Sequence, residues 1–561
     1  MENSLSIPRH QVLERLRFEN PWWRTGKVQS HFTRLTPRMH AHRLFPLVFD
    51  FSLRRAVVIL GPRRVGKTVL MHHTVDALIE SGFNARCILL LSLDNPVYMP
   101  FTLDELMQLG LAATGEPSAD QCVVFYDEIQ FSKDWERELK VLVDQYPETR
   151  FVASGSASAS LLKKSSESGA GRFHDFVLPS LSFREYLQLS HAEHLVNDSS
   201  EWATTPDVME LNARFFDFLN FGGYPEVLTS DAVRQDPARF IRMDILDKVL
   251  LRDLPSLFGI RDIPELYRFF TFLAYNTGQE FAPQQLSKES GLTQETIRKY
   301  LQYFESAFLI RVLHKVDQTA RRFQRITGFK VYLTNPSLRT ALFAPVHPAY
   351  SEAGNLLETG LANVLPDAAH QRIHYASWRT GNKAGEVDFV WLDPMKFRAL
   401  HALECKWSNR YVDKPGELKS LLAFCAANAL NEAWVTTIDR RETRSMNGVT
   451  LEFVPAALLV LTFDRTSGHI EQAASPPRVT LEEAGAYARP NQPSNRCGIS
   501  YSPSQFFSSS PAFGPNGPCR RPQDLPVSSV HSASKTARVW PPPEPLELHS
   551  KRPLPSLNAS I

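Results

Sequence analysis

Cysteine is scarce in this 561-residue chain. The six residues Cys87, Cys122, Cys405, Cys425, Cys497 and Cys519 are scattered without a C-x-x-C pair, a distribution that favours a reducing, cytoplasmic setting over a disulfide framework. The first residues, MENSLSIPRHQVLERLRFENPWW, contain no apolar stretch of signal-peptide length. Nowhere do eighteen or more apolar residues run together as a membrane-crossing helix requires, so no membrane partner is expected. Neither charge sign dominates: the formal net charge is +2, which gives no whole-chain case for nucleic acid, so any basic surface must be local. No repeat of 20 to 50 residues and no H-E-x-x-H or G-x-S-x-G motif appears, and His72 and His73 read as solvated helix residues rather than metal ligands.

What is present is an ordinary globular composition, 43% hydrophobic and 22% charged, on a chain too long for one core, so three or four domains are expected. Proline marks one boundary: 16 of 39 prolines follow residue 464, and 464–561 read as a Pro/Ser-rich disordered tail. Within 46–195, short apolar runs at AVVIL, CILLLSL, CVVFY, RFVASG and HDFVLP alternate with helical patterns, the signature of a parallel sheet with crossover helices.

The first of these strands runs into Gly61-Pro62-Arg63-Arg64-Val65-Gly66-Lys67-Thr68, which fits G-x-x-x-x-G-K-[ST] and is followed by an apolar-spaced helix. Glycines let backbone N–H groups close around phosphate oxygens, a lysine reaches the β- and γ-phosphates, and the hydroxyl ligates Mg²⁺. ATP (or its product ADP) and Mg²⁺ are therefore the expected ligands. VVFYDEIQ ends a buried-strand pattern in two acids; Asp127 is expected to hold the ion through water and Glu128 to polarise the attacking water. Ser154 or Ser156 could sense the γ-phosphate, and Arg172 could reach a phosphate in cis or from a neighbouring subunit, although a small-residue turn and a solvated arginine account for them equally simply. Arg252 and Asp253 read as a solvated or paired helix face.

The ordered series ENPWW, GPRRVGKT, FYDEIQ, Trp135 followed by LKVLVD, SGSAS, GAGR, LSFREY and GGYPEVL resembles the bacterial and archaeal AAA-type ATPases with a DUF4143 C-terminal region, over about residues 15 to 460. The resemblance implies ATP binding and says little of biological role.

Residues 266–345 read as a winged helix. In FAPQQLSKESGLTQETIRKYLQYFESAFLIRVL, Gly291 turns the chain, Thr293 caps the next helix, and Ile297, Leu301 and Phe304 share one face. Gln294, Arg298 and Lys299 could then meet a major groove, with RRFQRITGFK as a basic wing, but Glu295 and Glu305 lie beside the two bases and such domains also serve purely as protein-interaction modules. Further on, Asp388, Glu404 and Lys406 form D-x15-E-x-K across two strand patterns, and Glu358 precedes them on a helical stretch. This resembles the restriction-endonuclease-like PD-(D/E)XK arrangement, in which carboxylates hold Mg²⁺ and the lysine activates water or steadies transition-state charge.

The expected fold is thus α/β: a helical lead-in (1–45), an AAA-type P-loop ATPase domain (46–195), a helical extension (196–265), a winged-helix-like domain (266–345), a nuclease-like domain (346–463) and the tail. Two functions fit it. One is an ATPase coupled to binding or cutting duplex DNA. The other is a nucleotide-dependent switch or scaffold that binds protein partners or copies of itself and cuts nothing.

Overall fold

The computed structural model describes residues 7–470 apart from 53, 117, 156–170, 199–201, 322–327, 366–371, 381–382 and 394–397. Ser156, most of the proposed wing and nearly all of the proposed tail lie outside the described residues.

Five apolar runs become five parallel strands, β1 (Ala56–Leu60), β2 (Ile88–Ser92), β3 (Val123–Asp127), β4 (Arg150–Gly155) and β5 (Phe173–Val177), in the order β2-β3-β4-β1-β5. β1 and β3 are buried at every position, as strands covered on both faces must be. The lead-in explains ENPWW. Asn20 exchanges hydrogen bonds with the backbone of Leu90 on edge strand β2, and the indole N–H groups of Trp22 and Trp23 both donate to Ile88 O. These side chains satisfy an edge that would otherwise expose open backbone groups.

A second sheet has nine strands: β6 (Glu280–Phe281), β7 (Ile310–Val316), β8 (Phe329–Leu333), β9 (Arg372–Thr380), β10 (Lys383–Leu392), β11 (Ala399–Glu404), β12 (Glu432–Thr437), β13 (Glu442–Met446) and β14 (Val449–Pro455). They lie in the order β13-β14-β12-β11-β10-β9-β7-β8-β6. The expected boundary at 345/346 is therefore not a break in the sheet, because β7 runs parallel beside β9 through Lys315↔Tyr375 and Val316↔Ala376. Strand pairing between segments 60 residues apart has no signature in either segment's periodicity.

The expected extension is helical, and part of it is π-helical, over Ile241–Leu246 and Val249–Asp253. In helix Gln294–Ser306 the buried face is Ile297, Tyr300 and Phe304, with Leu301 only partly buried. The boundary drawn at 464 cuts a helix, Ala456–Ile470, that packs back on the chain: Asp464 accepts a hydrogen bond from Arg184 N at 3.2 Å. The proline-rich composition begins only beyond it. Among the described residues no helix is long and apolar enough to cross a membrane.

Candidate nucleotide site

The loop after β1 is shaped by close approach. A Cβ on Gly61 would lie 2.1 Å from Leu178 O, so no larger residue fits there, and Gly66 takes a φ of +94° as the N-cap of helix Lys67–Glu80. Lys67 is 6% exposed, and its ammonium donates to Gly61 O at 3.0 Å and Pro62 O at 2.8 Å. Burial lowers its pKa to about 8, while the Glu128 and Asp127 carboxylates oppose the shift.

Asp127 ends β3 with 2% exposure. Its Oδ2 accepts the Thr68 hydroxyl at 2.7 Å and its Oδ1 accepts the Ser154 hydroxyl and, at 3.2 Å, the Glu128 N–H. Burial, reinforced by Glu128, raises its pKa against these hydrogen bonds and Lys67. Ser154 thus braces Asp127. Glu128 follows with a left-handed φ of +54°, a costly conformation for a residue with a side chain, of the kind that gathers at functional sites. The structure brings Lys67, Thr68, Asp127 and Glu128 together as the sequence suggests.

Arg172 requires a correction. It precedes β5, and its carbonyl accepts Ala56 N at the start of β1, whereas the phosphate loop follows the end of β1. A five-residue strand separates the two by about 16 Å, and the guanidinium pairs with Asp144. Arg172 cannot reach its own subunit's loop; only the role from a neighbouring subunit is left to it.

Charges that sequence reasoning missed surround the loop. The buried Arg38 forms a two-pronged pair with Glu185 at 2.7 and 2.9 Å and donates to Val65 O at 2.6 Å, fixing the loop from outside. Burial works to raise the Glu185 carboxyl, but Arg38 overrides it and holds the carboxyl well below the usual range. Arg63 pairs with Asp253 at 3.3 Å; Arg64 pairs with Glu226 at 3.2 Å and lies 3.7 Å from Asp244. Asp253 is thus paired, as one of its two sequence readings had it, and its partner belongs to the phosphate loop. Glu185 and Glu226 lie in LSFREY and GGYPEVL, but neither motif told from sequence which arginine its acid would meet.

The second acidic cluster also assembles. Asp388 sits at a bulge in β10, where the register against β9 shifts between Val387 and Val390, and such bulges re-aim side chains. Its Oδ2 accepts Cys405 N at 2.7 Å. Lys406, just past β11, bonds Glu404 Oε1 at 2.7 Å and lies 3.8 Å from Asp388 Oδ2. Glu358, on helix Ala353–Val364, faces Lys330 at 2.9 Å; Lys330 closes the stretch read from sequence as a basic wing, but it is buried in β8 and points its charge at these carboxylates instead of solvent. Burial raises Glu358 to about 7 and Glu404 to about 8. Among the described residues no three His, Cys, Asp or Glu side chains are placed to hold a metal ion.

A glycine-rich loop between a buried strand and a helix, on a parallel sheet with an acid at the end of a neighbouring strand, defines an AAA-type P-loop ATPase. Residues 53–187 match the family model of an AAA domain. Residues 212–347 match DUF8612, a domain of unknown function, where the resemblance implied DUF4143. An uncharacterized protein of Mycobacterium tuberculosis is 31% identical over 351 residues, 60% of this chain and 68% of that protein. One of Haemophilus influenzae is 28% identical over 290 residues, 50% of this chain and 68% of that protein. The chain belongs to the family of the mycobacterial protein. Among solved structures, the Aeropyrum pernix ORC2 protein in ADPNP–ADP complexes is 16% identical, covers 55% of this chain and 93% of that one, and has a TM-score of 0.33, too low to bear on the reading.

Two outcomes follow. Lys67 must be protonated to hold phosphate, so ATP affinity should be level below pH 8 and fall by up to about tenfold per unit above it, as binding begins to require proton uptake; a fluorescent-nucleotide titration from pH 7 to 9.5 that stays flat contradicts this. Arg38→Met should destabilise the protein by about 3–5 kcal/mol by leaving Glu185 buried without its guanidinium partner. Adding Glu185→Gln should recover most of that loss in a denaturant melt.

Proposed function

We propose that the protein is a Mg²⁺-dependent ATPase whose turnover is transmitted through the phosphate-loop arginines to its C-terminal half. The observation that supports hydrolysis most directly is the Thr68–Asp127 pair, 2.7 Å apart in a buried site beside Lys67 and Glu128. A hydroxyl and a carboxylate so placed suit Mg²⁺, which when bound supplies charge to neutralise the β- and γ-phosphate oxygens. In this reading the N–H groups of residues 61–68 cradle the phosphates and Lys67 exchanges Gly61 O and Pro62 O for phosphate oxygens. Glu128 orients a water on the γ-phosphorus; the new P–O bond forms as the bond to the β,γ-bridging oxygen breaks, the water's proton passes to Glu128, and ADP and phosphate leave.

Arg63 and Arg64 carry the signal. Any phosphate that draws on either guanidinium competes with Asp253, Glu226 and Asp244, which stand on the helical extension.

Beyond that extension we read residues 266–345 as winged-helix-like and 346–463 as endonuclease-like. For the first, three helices (Ile263–Tyr275, Pro283–Ser290, Gln294–Ser306) precede the hairpin of β7 and β8. For the second, helix Ala353–Val364 leads into antiparallel β9, β10 and β11, then helix Lys419–Asn428 and β12 parallel to β11. Duplex DNA is one fitting partner. The switch or scaffold that cuts nothing is favoured by two observations: Glu295 pairs with Lys299 at 2.8 Å on the would-be reading helix, and lysines already engage the carboxylates of the nuclease-like cluster.

Steady-state ATP hydrolysis with and without duplex DNA, at two salt concentrations, separates them. The switch reading expects turnover unchanged by DNA at either salt; stimulation that fades as salt rises would instead mark a nucleic-acid-coupled enzyme.

A further inference from the structure

The carboxylates of the nuclease-like cluster meet an ammonium that their motif does not contain. Lys330, on β8, is 2% exposed, and its Nζ lies 2.6 Å from Glu386 Oε1, 2.9 Å from Glu358 Oε1 and 3.9 Å from Asp388 Oδ1. Tyr332 donates to the same Glu358 oxygen at 2.6 Å, and the Tyr375 ring stands 5.4 Å from the ammonium. The remaining acid, Glu404, is held by Lys406 at 2.7 Å.

A lysine has three donors and no acceptor, and it is stable out of water only among oxygens arranged around it. A divalent metal in a domain of this kind would need the same oxygens. Lys330 is not delivered by a loop that could swing away. It comes from a strand buried at every position, joined through β7 to the sheet that carries Asp388 and Glu404.

We propose that Lys330 is the resident cation of this cluster, standing where an endonuclease-like site would hold a divalent metal, so that the domain retains an acidic centre yet binds its partner without cutting. This rests on the endonuclease-like reading of residues 346–463. One atom points the other way: Glu404 Oε2 is buried without a hydrogen-bond partner, and a metal there would be held by Asp388 and Glu404.

The test uses the full chain without nucleotide, titrated with Mn²⁺ and followed by electron paramagnetic resonance and thermal unfolding, with plasmid as cleavage substrate. Wild type and Asp388→Asn should bind Mn²⁺ equally and neither should nick the plasmid. Lys330→Met should unfold roughly 6 °C or more lower in metal-free buffer, gain a Mn²⁺ site and recover on adding the ion. Wild-type Mn²⁺ binding or cleavage that Asp388→Asn abolishes overturns the proposal while leaving the endonuclease-like reading intact. A Lys330→Met chain with unchanged stability and no gain of Mn²⁺ overturns both. Should that variant fail to fold, the comparison of wild type with Asp388→Asn decides.

Discussion

A carboxylate buried at the end of a strand has to be satisfied by its neighbours, and at Asp127 that requirement organises the nucleotide site. Its two oxygens gather a hydroxyl from the start of the phosphate-loop helix, a hydroxyl from β4 and the backbone N–H of Glu128. Two segments distant in sequence are thereby fixed within hydrogen-bond reach of one charge. The same charge opposes the burial that lowers the Lys67 pKa, so the acid and the base of the site stabilise each other's ionised forms.

From that centre the loop is held on two sides. Arg38 and Glu185 form a buried pair that clamps Val65 O, and it is rigid because removing either partner strands a charge away from water. On the other side Arg63 and Arg64 meet acids from the helical extension through partly exposed pairs. Exposed pairs are weak and exchangeable, which suits the proposed exchange of these contacts for phosphate. Asp244 and Asp253 both belong to π-helical turns, a geometry often found at functional positions. The apolar core is also continuous across this junction, since Leu70 and Met71 of the phosphate-loop helix share a cluster with Phe269 and Leu286.

Much of the nucleotide site was legible in the sequence because its chemistry is local: strand, loop and helix are consecutive, and VVFYDEIQ announces a buried strand ending in acid. All five strands of the first sheet and the two strand patterns that carry Asp388 and Glu404 were found in their places. What was not legible depends on pairing at a distance. ENPWW reads as a motif with no function until Asn20, Trp22 and Trp23 are seen to close the β2 edge. Arg172 looks like a phosphate ligand by its loop, but parallel topology puts that loop at the wrong end of the sheet. The D-x15-E-x-K spacing picked out Asp388, Glu404 and Lys406, which the fold does bring together, yet it could not show Lys330 among them, since that residue arrives from a strand of the preceding segment.

The most direct test of the account is to compare ATP binding with ATP turnover in Glu128→Gln. The variant keeps Lys67, Thr68 and Asp127, so it should bind Mg²⁺-ATP within about threefold of wild type while turnover falls on the order of 10²-fold or more, the scale of losing general-base assistance. Turnover that survives the substitution would contradict the role given to Glu128 and, with it, the reading of Asp127 and Thr68 as the centre of a hydrolytic site.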